Sequence, residues 1–269
     1  MRDMTIKSIR SETLTRMKSC WPEMSFIIVL AAGIVFFFYA ALVFMGQVLG
    51  VHDSFYAIPS LSLAEPAYIA GVLGLYTVLY LGSVPLSYGI RWFYWNLSGG
   101  AVMPLSSLFA CYDSWHTIQR CIIVRLMTDL RRITRFIVLG TFGYAVFFIC
   151  ARVGTGHERL IESIETFTVF VLLVIYYVST MDLFFVPYIF ADNPDLDAGE
   201  IINRSIRATK YRYNFSVKLF FSCIPWSLSA VLVFPMMFVL PLVNIIHAVY
   251  LRRIMDDMNE KKDTDTRTA

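Results

Sequence analysis

Asp182 is the one acidic residue that lies well inside a long apolar run, in the stretch Ser179-Thr180-Met181-Asp182. An ionisable side chain at bilayer depth is costly, so it faces the interior of a helix bundle and finds a partner there. Asn244 and His247, three residues apart and therefore on one helix face, sit at comparable depth in another apolar run. The expected contact is a hydrogen bond between Asp182 and one of these two. Two kinds of chemistry fit it. One is a proton or cation relay along a solute path; the other is a structural interhelical bond worth roughly 0.6–2 kcal/mol. The structural reading is preferred.

A second polar constellation runs from Pro187 through Asp192, Asn193, Pro194, Asp195 and Asp197 to Glu200. Four carboxylates could attract a cation, but most occupy turn or cap positions, and no metal site is assigned. Its physical logic is a helix exit and restart. Pro187 loosens the end of one helix, and Pro194 excludes Asn193 from the helical region. Asp197 would then accept the Glu200 backbone N–H while Glu200 reaches back to the Asp197 N–H, a capping box. Elsewhere His52 and His157 stand alone, and Pro85, Pro225, Pro235 and Pro241 interrupt apolar runs. No zinc-protease HExxH, phosphate loop or nucleophile elbow is present. No catalytic or cofactor-binding residue is assigned, no cofactor is implied, and the chain is expected not to be an enzyme.

The elements that carry these residues are set by composition. Apolar residues make up 57% and charged residues 16% of the 269, against about 45–50% and about 25% in soluble domains. Mean hydropathy is +0.62. Ser25 to Val51 and Pro66 to Ile90 contain no charge, and about 20 helical residues suffice to cross a bilayer. The predicted spans are 24–50, 67–90, 135–151, 167–190, 216–233 and 236–251. The last two come from one 35-residue apolar stretch, Ser216 to Tyr250, that Pro235 is expected to fold into a hairpin. The fold class is all-α: a polytopic transmembrane bundle of about six spans with amphipathic cytoplasmic helices. Residues 1–255 form one domain, and 256–269 are a polar, disordered cytoplasmic tail. The first span follows five basic residues and is too long for a cleaved signal, so it is read as retained. Five cysteines without a CxxC pair suggest small buried side chains and no disulfide framework.

Charge placement tests the count. With six spans, the cytoplasmic segments hold five, six, five and five Lys or Arg, and only Arg152 and Arg159 fall outside. A single crossing at 216–250 would move the tail's five outside, against the positive-inside rule. Both termini are therefore expected in the cytoplasm. Trp21, the cluster Trp92-Phe93-Tyr94-Trp95, and Tyr211 with Tyr213 fall where interfacial aromatic belts are expected.

Three basic amphipathic helices precede hairpins of spans, with apolar positions Ile6, Ile9, Leu14 and Met17; Ile118, Ile122, Leu126 and Ile133; and Ile201, Ile202, Ile206 and Tyr213. Such helices lie in the interface plane near anionic headgroups. Their roles are either docking to lipid or a membrane protein partner, or covering the bundle's end. The order helix, span, span recurs at 5–50, 117–190 and 198–250, a weak parallel repeat. The small net charge of +3 does not suggest a nucleic-acid partner.

The stretch Tyr188-Ile-Phe-Ala-Asp192-Asn193-Pro194-Asp195-Leu, then Ile201 to Lys210 and Lys218-Leu-Phe-Phe, resembles the signature of a bacterial integral membrane family, domain of unknown function 975. Pro85-Leu-Ser-Tyr-Gly followed by Leu105-Ser-Ser-Leu-Phe109 is similar to its second landmark, while Gly99-Gly100-Ala-Val-Met departs from the family's loop. The resemblance implies six helices and a bacterial cytoplasmic membrane, and carries no activity. The expected function is an interaction or envelope-maintenance role at that membrane. The alternative is a small-solute transporter or channel component with Asp182 lining the path.

Overall fold

The computed structural model describes residues 5–18, 20–48, 66–101, 103–153, 158–229 and 233–268. His52, His157, nearly all of the loop expected at 51–66 and residues 230–232 lie outside them. The described residues form α1 (Ile6–Lys18), α2 (Trp21–Val48), α3 (Pro66–Ser98), α4 (Trp115–Val153), α5 (Glu158–Thr180), α6 (Val186–Asp192), α7 (Ala198–Tyr211), α8 (Tyr213–Ser229) and α9 (Val233–Thr268). Two 3₁₀ segments, Leu105–Tyr112 and Met181–Leu183, complete the list, and no strand occurs among the described residues. The fold is all-α.

Among the described residues, five helical stretches are long and apolar enough to cross a membrane: Trp21–Ala41, Ile69–Ser98, Trp115–Cys150, Glu162–Asp192 and Phe238–Lys261. In the Trp115–Cys150 stretch only 6% of the most apolar window is buried. Phe136, Ile137, Phe142, Tyr144 and Phe148 all point outward. A contiguous apolar surface of that extent is not stable against water, and lipid is the solvent that accommodates it. This is a membrane protein.

Several expectations are corrected. α8 ends at Ser229 and α9 begins at Val233, so Pro235, expected at the turn of a hairpin, lies in the first turn of α9, where a missing N–H costs little. At 17 residues α8 spans only about 26 Å, short of a hydrocarbon core of about 30 Å. It is not among the five. The expected amphipathic helix and span on either side of residue 134 form one 39-residue helix, α4. The tail expected to be disordered from 256 is instead helical to Thr268. Extending an existing helix costs no new nucleus, and the spacing of Asp257 and Lys261 supports it.

The chain divides into two compact units: residues 1–122 with 223–250, and residues 123–222 with 251–269. In the first, α1 packs on α3 and buries Ile9, Thr13 and Met17 at helical spacing. Leu14, assigned to that face, is 51% exposed. Phe93, Tyr94 and Trp95 are core residues and not an interfacial belt. Gly89 is required here: a Cβ would land on the Leu108 carbonyl, so its absence lets Leu105–Tyr112 lie against α3. The Tyr112 hydroxyl donates to the Gly82 carbonyl. Burial disfavours the phenolate and raises the Tyr112 pKa. Gly100, at φ +89°, ends α3 with its N–H on the Leu97 carbonyl at 2.9 Å.

Candidate functional site

Asp182 and the constellation from Pro187 to Glu200 lie in the second unit, at the turn from α5 through α6 into α7, whereas Asn244 and His247 lie in the first. The α5 helix stops at Thr180 and tightens into the 3₁₀ turn Met181–Leu183. Asp182 therefore sits just beyond the end of α5, in a 3₁₀ turn inside the apolar stretch Glu162–Asp192. Pro187 occupies the first turn of α6, so it starts a helix where it was expected to loosen one.

Asp182 pairs with Arg135 of α4. Nη1 donates to Oδ1 at 2.5 Å and Nη2 to Oδ2 at 2.8 Å. The same guanidinium donates to the Ser179 carbonyl. This bidentate geometry occupies both carboxylate oxygens with a fixed fork of donors. The side chains are 28% and 19% exposed, so the pair is shielded but not sealed. Asn244 instead donates within its own helix, to the Leu240 carbonyl at 2.7 Å. His247 is buried in α9. The partner found for the Asp182 carboxylate is thus Arg135; Asn244 and His247 belong to the first unit.

The turn is held from a second side. Ser205 of α7, fully buried, donates to the Asp182 backbone carbonyl at 2.5 Å. Behind it, Phe184 and Phe185 pack edge-on against Phe220, with centroids 5.1 and 5.9 Å away. Such edge-to-face pairs add about 0.5–1.5 kcal/mol beyond their buried area.

Next along the chain, the exit and restart takes the expected shape with altered contacts. Asn193, ahead of Pro194, is non-helical at φ −141°, ψ 83°. Asp197 caps α7, but its carboxylate accepts the Gly199 N–H at 2.9 Å and not that of Glu200. Glu200 turns forward to Arg204 at 2.8 Å, so the reciprocal half of the capping box is not made. Asn193 donates its side-chain amide to Asp192 at 2.8 Å, and Asp195 is exposed. Among the described residues no group of three His, Cys, Asp or Glu is arranged to hold a metal ion.

The α7 helix turns Ile201, Ile202, Ser205, Ala208 and Thr209 into the protein. Its apolar stripe packs against α6 and the Met181–Leu183 turn, and is not left free for lipid. Asn203, Arg207 and Lys210 face outward. In α4 the expected stripe is likewise displaced: Leu126 and Ile133 are exposed, while Cys121, Val124 and Thr128 are buried. Beside α7, the helical end of α9 is tied down by Asp257, which accepts from Arg212 at 2.8 Å. Between these elements lies a cleft of about 330 Å³.

Sequence reasoning missed Arg135 as a partner and missed the cleft altogether. The pair joins positions 47 residues apart in sequence, which no local pattern links.

Comparison with known proteins gives no identity: no family model, curated protein or solved structure matches the chain.

Proposed function

We propose that the chain is a non-enzymatic, multi-pass protein of a bacterial cytoplasmic membrane, acting by interaction at the inner face in envelope maintenance. In this reading α8, at about 26 Å, makes a short sixth crossing around which the bilayer thins, so that both termini lie in the cytoplasm, and the chain belongs with the domain-of-unknown-function-975 family it resembles. Anionic lipid headgroups or a membrane protein partner meet the outward face of α7.

The observation that carries the reading is the Arg135–Asp182 pair. A relay or solute path through Asp182 needs a carboxylate free to exchange a proton or cation. Here both oxygens are held, and the backbone carbonyl is held as well. The acid is thus committed to a partner, as ionisable residues within membrane segments almost always are. What remains available is the surface: the outward Asn203, Arg207 and Lys210 on α7. Cations there are worth about 1 kcal/mol each beside an anionic leaflet.

The test introduces single cysteines along α5 and α9 in intact vesicles and labels them with a membrane-impermeant maleimide. An interaction protein predicts protection throughout the apolar stretch. One continuous labelled face at bilayer depth would overturn the reading in favour of the transporter alternative. A reporter fused after residue 269 is expected to be cytoplasmic, and its appearance outside would reverse the orientation.

A further inference from the structure

We propose that the cleft between α7 and the end of α9 is a binding site for the monoanionic phosphodiester headgroup of an anionic membrane lipid. The proposal rests on the inner-face reading above and makes it specific. On α7, Glu200, Arg204 and Arg207 are spaced so that all three line the same side, and they face the cleft. Met255 and Met258, one turn apart on α9, and the buried Ile189 of α6 supply its apolar wall.

Charge selects the ligand. Arg204 is neutralised by Glu200 at 2.8 Å. Arg207 has no carboxylate partner among the described residues and is exposed. The cleft therefore offers one uncompensated guanidinium, which suits one negative charge. A dianion would face Glu200 with too little positive charge beside it, and a cation would be repelled by Arg207. Guanidinium also matches phosphate geometry through paired N–H donors. An anion without an apolar portion would leave the two methionines and the isoleucine uncovered. Methionine side chains adapt to irregular apolar shapes, and about 330 Å³ is within the range of small-molecule sites.

The cleft is also built. Its α9 wall is completed by Met258 and Asn259 because the helix continues past residue 256, and the Arg212–Asp257 pair, with 23% and 17% exposure, holds that helix in place. The neighbouring α6 follows closely on the apolar helix α5, so the cleft lies at a span's end, where headgroups are found.

The full chain, purified in a non-ionic detergent, is titrated with short-chain phosphatidylglycerol and with phosphatidylcholine of the same chains, and bound lipid is read by native mass spectrometry. The expected result is preferential binding of phosphatidylglycerol, weakened about tenfold by Arg207→Gln. Glu200→Gln frees Arg204 and is expected to tighten binding. Lys210→Gln, exposed on the same helix but outside the cleft, changes it little. Unaltered binding in Arg207→Gln, or equal binding of the two lipids, would overturn the site. Equal weakening by Arg207→Gln and Lys210→Gln would also overturn it, while leaving a diffuse surface role intact. Displacement of lipid by inorganic phosphate at comparable concentration would overturn the lipid source and assign the cleft to a soluble phosphate. The cysteine labelling above reports on the parent reading separately.

Discussion

The middle of α4 and the corner formed by α6 and α7 are both rich in apolar residues, yet they are held by different solvents. Along α4, Phe136, Ile137, Phe142 and Phe148 face outward and are each more than half exposed. In the corner, Val186, Tyr188, Ile189, Phe190, Ile201 and Ile202 are all buried in protein. Hydrophobicity alone does not tell these regions apart; punctuation does. The α4 run has no charge between Arg135 and Arg152 and no proline, whereas the corner is cut by Pro187, Asn193-Pro194 and Asp197 within a few residues. Lipid needs an uninterrupted helix because it satisfies no backbone group. Protein packing tolerates breaks that caps and side chains repair, as Asp197 and Ser205 do here.

The sharpest way to separate the regions is to truncate one residue in each. Ile201→Ala is expected to destabilise the detergent-solubilised protein by about 2–5 kcal/mol, because it opens a cavity among packed side chains. Phe142→Ala should change the same unfolding free energy by less than about 0.5 kcal/mol, as surface substitutions do. Equal effects would erase the distinction.

A smaller effect probes the tie between α4 and the corner. Arg135→Gln or Asp182→Asn should each cost about 1–3 kcal/mol, between the values for exposed and fully buried pairs, since both groups are partly shielded. The double variant should cost much less than the sum of the two, measured by thermal unfolding in detergent. Additive losses would mean that the two side chains act independently.

The smallest effect concerns the restart. Asp197→Ala removes the acceptor for the Gly199 N–H and should cost about 1 kcal/mol, while Asp197→Asn should retain most of it. Circular dichroism during thermal unfolding reads both.

Much of this architecture was legible in the sequence because it is encoded locally. Uncharged runs mark most of the long helices, Pro194 sets the conformation of Asn193, and Asp197 caps α7. What escaped depends on neighbours distant in sequence. Asp182 and Arg135 are 47 residues apart, and nothing near either one names the other. Helix faces were misassigned for a related reason. Leu14 and Leu126 have the right character for a buried stripe, but the true inner faces run through Ile9, Thr13 and Met17 and through Cys121, Val124 and Thr128. In a membrane protein, apolar character no longer distinguishes inside from outside, so small and weakly polar residues carry that information. The cleft was invisible because its far wall depended on the helical tail, whose polar composition resembles a disordered end.

The central claim is that hydrocarbon surrounds the exposed apolar stretch of α4, and spin-label accessibility measures this most directly. A nitroxide attached at position 142 of the full chain in liposomes is predicted to collide readily with dissolved oxygen, which concentrates in lipid, and to be shielded from an aqueous nickel chelate. Ready collision with the nickel chelate and little with oxygen would mean that water, or a water-filled path, covers this face, and would contradict the account.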